Sequence, residues 1–141
     1  MADETPIIHF TVSAEQDGRP LAELVAAALG AEPAARQLIA RGGLWVDGVR
    51  VHDAGAQAAA GAALAIHRPL GGVYPDVALA PELIFYEEAD LLALAKPAGM
   101  YVTMTPWDTE ANLQAALVRL LAARDGTAPR IHLAHRLDRD T

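Results

Sequence analysis

Apolar and polar side chains alternate loosely from Ile7 to Val12, which predicts a short half-buried strand. Asp17-Gly18-Arg19-Pro20 then reads as a turn with Pro20 at the first helical position. The helix runs through Leu21, Leu24, Val25 and Ala28 until Gly30 stops it. A second helix is expected from Pro33, turning Leu38 and Ile39 inward and ending at Gly42-Gly43. Two β-prone triplets, Leu44-Trp45-Val46 and Val49-Arg50-Val51, flank Asp47-Gly48. Both turn residues tolerate positive φ, so the pattern is a strong hairpin signal. A strand over Leu64 to Ile66 would close this small unit, and the Ala/Gly-rich stretch Ala54 to Ala63 reads as a mobile loop.

Arg68 to Pro81 holds three Pro and two Gly with few large apolar residues, which places a boundary there. Beyond it, Leu83 to Tyr86 and Leu91 to Ala95 are apolar strands joined by the acidic turn Glu87-Glu88-Ala89-Asp90, the pattern of an antiparallel hairpin. Lys96-Pro97-Ala98-Gly99 must be a loop, since Pro interrupts a strand ladder. Asp108 or Thr109 is expected to cap a helix with the apolar stripe Leu113, Ala116, Leu117, Leu120, Leu121, its Gln114 and Arg119 facing out and its end near Asp125-Gly126. Ile131 to Leu133 is a further strand candidate. The fold class is α+β: a small helix-helix-hairpin accessory unit over residues 1–70, then a mainly antiparallel domain opening over residues 82–141.

Composition changes this picture little. Of the 141 residues 52% are hydrophobic, but 31 are Ala, so the large core formers are the scattered Leu, Ile, Val and aromatic positions. The absence of Cys excludes disulfides and thiolate metal sites and suits a reducing compartment. The acidic start Met1-Ala2-Asp3-Glu4 lacks an export signal and no apolar run approaches a bilayer span, so a soluble, cytoplasmic protein without membrane contact is expected. The net charge of −7 is unevenly placed: residues 1–95 hold 13 acids against 5 Lys/Arg, whereas residues 96–141 hold 5 against 6. Contact with phosphate is therefore expected in the last third.

The chemistry concentrates in His135-Arg136-Leu137-Asp138-Arg139-Asp140-Thr141, which lies 36 residues beyond the Lys96-Pro97-Ala98-Gly99 loop. Together, over residues 82–141, these two elements resemble the RluA family of pseudouridine synthases, whose Lys-Pro-Ala-Gly element precedes a helix and then a His-Arg-Leu-Asp loop. The resemblance implies an isomerase that converts uridine to pseudouridine in ribosomal or transfer RNA. Asp138 would be the catalytic carboxylate, and Arg136 would accompany it at the substrate, with His135 and Leu137 shaping the loop. The family's motif continues with Ser-Gly where this chain stops at Thr141, so the 141-residue chain is expected to be inactive alone and poorly folded in its second half. The reaction moves the ribose bond from a ring nitrogen to a ring carbon with no redox change, so neither cofactor nor metal is required. One carboxylate suffices, as nucleophile or as base. Reaching a uridine in structured RNA requires flipping it out, which costs a few kcal/mol. An Arg such as Arg136 can fill the vacated space and hold the carboxylate ionised.

Other readings compete. The helix-helix-hairpin unit resembles, more faintly, the RNA-binding module often fused ahead of these enzymes, with Arg36 and Arg41 as phosphate contacts. Its acidity makes a purely structural accessory unit an equal alternative. A non-catalytic RNA-binding fragment is a further possibility for the whole chain. Taken alone, Asp138-Arg139-Asp140 is a solvated ion-pair cluster and Lys96 a surface charge before a turn. A metal-dependent hydrolase on His132, His135, Asp138 and Asp140 is disfavoured, because an extended segment points histidines three apart to opposite faces.

Overall fold

The computed structural model describes residues 7–141. The acidic start Met1-Ala2-Asp3-Glu4 lies outside the described residues. The chain is α+β and divides into two compact units: residues 1–74 with 106–108, and residues 75–105 with 109–141.

The first unit has strands β1 (Ile8–Thr11), β2 (Leu44–Val46), β3 (Val49–Val51) and β4 (Ala63–Ile66) and helices α1 (Leu21–Leu29) and α2 (Glu32–Arg41). Its sheet is antiparallel throughout, in the order β1-β4-β2-β3, with Ile8 and Leu44 both opposite Ile66. Leu44, Leu64 and Ile66 of the sheet and Leu21, Leu24, Val25, Ala35, Leu38 and Ile39 of the helices form one buried core. Periodicity causes this directly, because each apolar stripe has a face to bury. The β2–β3 turn is as the dipeptide requires: Asp47 and Gly48 take φ of 49° and 79°, and the Asp47 carboxylate accepts a hydrogen bond from Ala63 N at 2.9 Å.

Two local expectations are corrected here. Pro20 is the residue before the first helical turn of α1 rather than within it. The Ala/Gly-rich stretch is not loose: Ala54 O and Ala56 O accept from Ala22 N and Leu21 N at 3.0 and 2.8 Å, satisfying free amides of the α1 start, and Ala58 is 3% exposed. Alanine permits this because its short side chain lets the main chain approach the helix end closely.

The second unit contains β5 (Ile84–Glu88), β6 (Leu91–Leu94) and α3 (Leu113–Asp125). β5 and β6 form an antiparallel hairpin with an irregularity between Ile84 and Tyr86. β5 runs two residues further than its apolar portion, so Glu87 and Glu88 belong to the strand and not to the turn. The core is Leu79, Val102, Leu113, Ala116, Leu117 and Leu121, with Ile84, Leu92, Leu94, Ile131 and Leu133 packed against it. The α3 cap is Asn112, whose side-chain oxygen accepts from Ala115 N at 2.9 Å, and not Asp108 or Thr109. Ile131–Leu133 forms no strand. No helix among the described residues is long and apolar enough to cross a membrane.

Candidate active-site loop

The segment that carries Asp138 is held at three places within the second unit. Ile131 and Leu133, partly buried, pack against its core while His132 is exposed, the alternation of an extended chain. Gln114, which was expected to face outward, instead donates from its Nε2 to Ile131 O at 3.2 Å and ties the segment to α3. Further along, the main chain from Asp138 closes a turn, with Thr141 N donating to Asp138 O at 3.2 Å. This turn sits on the Lys96-Pro97-Ala98-Gly99 loop. Gly99 N donates to Arg139 O at 2.7 Å. The Lys96 ammonium donates to Arg139 O at 2.8 Å, to Thr141 O at 2.9 Å and to Pro97 O at 3.1 Å.

Lys96 is therefore no free surface charge, contrary to the reading of its side chain from sequence. The loop that holds it follows from β6, which ends at Leu94. Gly99 takes φ of 86°, a conformation that aims its amide at the turn and that glycine adopts without strain. The following residues are pinned to the start of α3, with Leu113 N and Gln114 N donating to Tyr101 O and Val102 O at 2.8 and 3.1 Å. Tyr101 in turn meets the segment that carries Asp138. The Arg139 guanidinium lies 5.8 Å from its ring centroid. Hydrogen bonds to Asp140 first, and then to Tyr101, raise the Arg139 pKa above its usual value.

Asp138 itself is exposed, and no other described residue hydrogen-bonds or pairs with its carboxylate. Arg136 is likewise exposed, and it forms no ion pair with Asp138. The loop thus leaves both side chains exposed without joining them, and the ion pair expected to hold Asp138 ionised is not formed. His135 is also exposed and sets its Nδ1 3.4 Å from Arg136 O. Leu137 is 45% exposed. Among the described residues no group of three His, Asp or Glu side chains is placed to hold a metal ion.

The two arginines expected to contact phosphate in the first unit are both engaged. Arg36 forms an exposed i,i+4 pair with Glu32 at 2.9 Å, a geometry that leaves it open to other anions. Arg41 is different. Its guanidinium grips the 3%-exposed Asp108 carboxylate through two bonds of 2.9 and 2.6 Å and covers the Tyr74 ring at 4.9 Å. A guanidinium held in this way is neutralised and largely desolvated by its carboxylate partner. Sequence reasoning missed Asp108 in this role, because the pairing spans 67 positions and no local pattern signals it. The neighbouring Trp45 indole donates to Pro106 O at 2.9 Å and stacks under Arg50 at 4.6 Å.

Comparison with known proteins finds no matching family model and no match among curated proteins.

Proposed function

We propose that this chain carries the active-site loop of an isomerase that converts uridine to pseudouridine in structured RNA, ribosomal or transfer, with Asp138 as the catalytic carboxylate. The observation that supports the reading is a pairing of opposites at one turn. The main chain around Asp138 is fixed to the Lys96–Gly99 loop, while the Asp138 carboxylate is left exposed and, among the described residues, unpaired. A group meant to meet a substrate needs a rigid backbone and a free side chain together. A carboxylate engaged only in solvated ion pairing would need neither.

The chemistry asks for little more. The ribose-to-nitrogen bond of the uridine breaks, the base turns, and a ribose-to-carbon bond forms. The hydrogen on that ring carbon leaves and the released ring nitrogen ends protonated, so atoms and electrons balance with no outside reagent. Asp138 acts at the ribose as nucleophile or as base. Arg136 and His135, exposed in the same loop, contact the nucleotide and its backbone. The guanidinium of Arg136, which no other described residue engages, is available to occupy the space left by the flipped base. Action on cytoplasmic RNA follows as part of the same proposal, with no membrane and no cofactor involved.

The test is Asp138→Asn introduced in the protein's own cells, with pseudouridine mapped across ribosomal and transfer RNA. At least one modified position is expected to revert fully to uridine while the abundance of the protein is unchanged. A map identical to that of the parent cells would end the proposal.

A further inference from the structure

We propose that Arg41 and Tyr74 line an oxyanion pocket of the first unit that the chain's own Asp108 carboxylate occupies, and that an anion of phosphate type takes the pocket when this carboxylate is withdrawn. The inference is independent of the isomerase reading. Arg41 holds Asp108 in a fork, Nε to Oδ1 at 2.9 Å and Nη2 to Oδ2 at 2.6 Å. The carboxylate is 3% exposed and the guanidinium 19%. A planar fork of this kind fits the oxygens of a carboxylate and of a phosphate alike.

The present occupant leaves one donor of the pocket unused. The Tyr74 ring centroid lies 4.9 Å from the Arg41 guanidinium, and the Tyr74 hydroxyl is buried with no hydrogen-bond partner among the described residues. Burial first, and then the Asp108 charge, push its pKa up to about 12, so at neutral pH the phenol is a proton donor within electrostatic reach of the carboxylate. A carboxylate has two oxygens, and the fork engages both. Inorganic phosphate presents more acceptor oxygens, enough for the fork and the phenol together.

The way Asp108 arrives makes it a tethered competitor. Residues 106–108 join the first unit from outside its continuous stretch 1–74. Trp45 pins them, its indole donating to Pro106 O at 2.9 Å. A carboxylate on a short tether competes with dissolved anions at a high effective concentration. The pocket is thus closed by its own chain, and loosening the segment at Pro106 opens it.

The experiment uses the full chain at pH 7 and follows the Arg41 Nε–H resonance by NMR during titration at constant ionic strength. The probes are inorganic phosphate, acetate and the dinucleoside monophosphate UpU, which has one phosphodiester and no terminal phosphate. Asp108→Ala is expected to bind phosphate at least about tenfold more tightly than the parent, because the tethered competitor is gone. Adding Tyr74→Phe to D108A is expected to weaken phosphate about tenfold, the loss of one hydrogen bond to a charged acceptor. Acetate, which needs the fork alone, is expected to bind D108A with and without Y74F equally. Trp45→Phe keeps Asp108 but removes its pin, and its phosphate affinity is expected to lie between those of the parent and D108A.

Phosphate affinity in D108A no higher than in the parent would overturn the pocket, as would a Y74F change that weakens both anions alike or neither. Parent-like affinity in W45F would overturn the pinned tether. A saturable shift with UpU supports the pocket and assigns it to a phosphodiester, and a shift with inorganic phosphate alone supports it and assigns it to a free anion. Should D108A be unfolded, its recovery on adding phosphate supports the inference. An unfolded D108A that phosphate does not rescue defeats it, because no dissolved anion then replaces the carboxylate.

Discussion

Tyr74 sits beneath the Arg41 guanidinium with a buried hydroxyl that has no hydrogen-bond partner among the described residues. Burial first, and then the nearby Asp108 charge, push its pKa from 10.0 up to about 12, with Arg41 opposing. A phenol whose folded pKa is raised favours the native state while it is protonated. That contribution is complete below pH 10 and is lost as pH climbs through about 12. Tyr74→Phe keeps the ring under Arg41 and deletes both the titration and the unpaired hydroxyl. Its stability at neutral pH is expected to equal or exceed the parent's by up to about 1 kcal/mol. Between pH 10 and 12 its denaturation midpoint should fall less steeply, as followed by circular dichroism in urea. A steeper alkaline loss in the variant would contradict the placement of this ring.

Elements were legible from sequence wherever their cause is local. Gly30 and Gly42 end α1 and α2 in the left-handed conformation that glycine favours. The Asp47-Gly48 turn and the α3 stripe likewise appear where the pattern put them. The failures share a different cause. α3 starts at Leu113 with Asn112 as its cap, while Asp108 pairs with Arg41, a partner 67 positions away that no window of neighbouring residues reveals. The stretch from Ala54 to Ala63 is ordered because α1 offers it unpaired amides, and Lys96 is engaged because main-chain oxygens of Pro97, Arg139 and Thr141 lie around it. Gly43 is a packing site of the same nonlocal kind. A Cβ there would lie 2.5 Å from the carbonyl oxygen of His67, which is main chain and cannot swing aside. Gly43→Ala is therefore expected to destabilise the first unit by about 1–3 kcal/mol, the usual cost of overpacking. A urea midpoint equal to the parent's would show that the sheet end yields more easily than the close approach suggests.

Across the whole molecule the two units are unequal in what they bury. Among the described residues the first core holds thirteen buried apolar side chains and the second six. The second also carries a two-stranded sheet on which Phe85 and Leu91 are 72% and 60% exposed. Hydrogen-exchange protection is thus expected to be lower in β5 and β6 than in β2 and β4, because unpaired strand edges and sparse burial let a hairpin open locally. Equal protection in the two sheets would refute this ranking. How the chain is partitioned was only partly legible: the Pro- and Gly-rich stretch marks a change of texture, yet residues 106–108 return to the first unit from far along the sequence. That return has a practical outcome for anyone cutting the protein into pieces. Scissors placed after residue 74 would excise Pro106 and Asp108, stranding the Arg41 guanidinium without its counterion and the Trp45 indole without its acceptor. A soluble fragment of the first unit calls for those three residues to be spliced back, for instance on a short linker, before its behaviour toward RNA is judged.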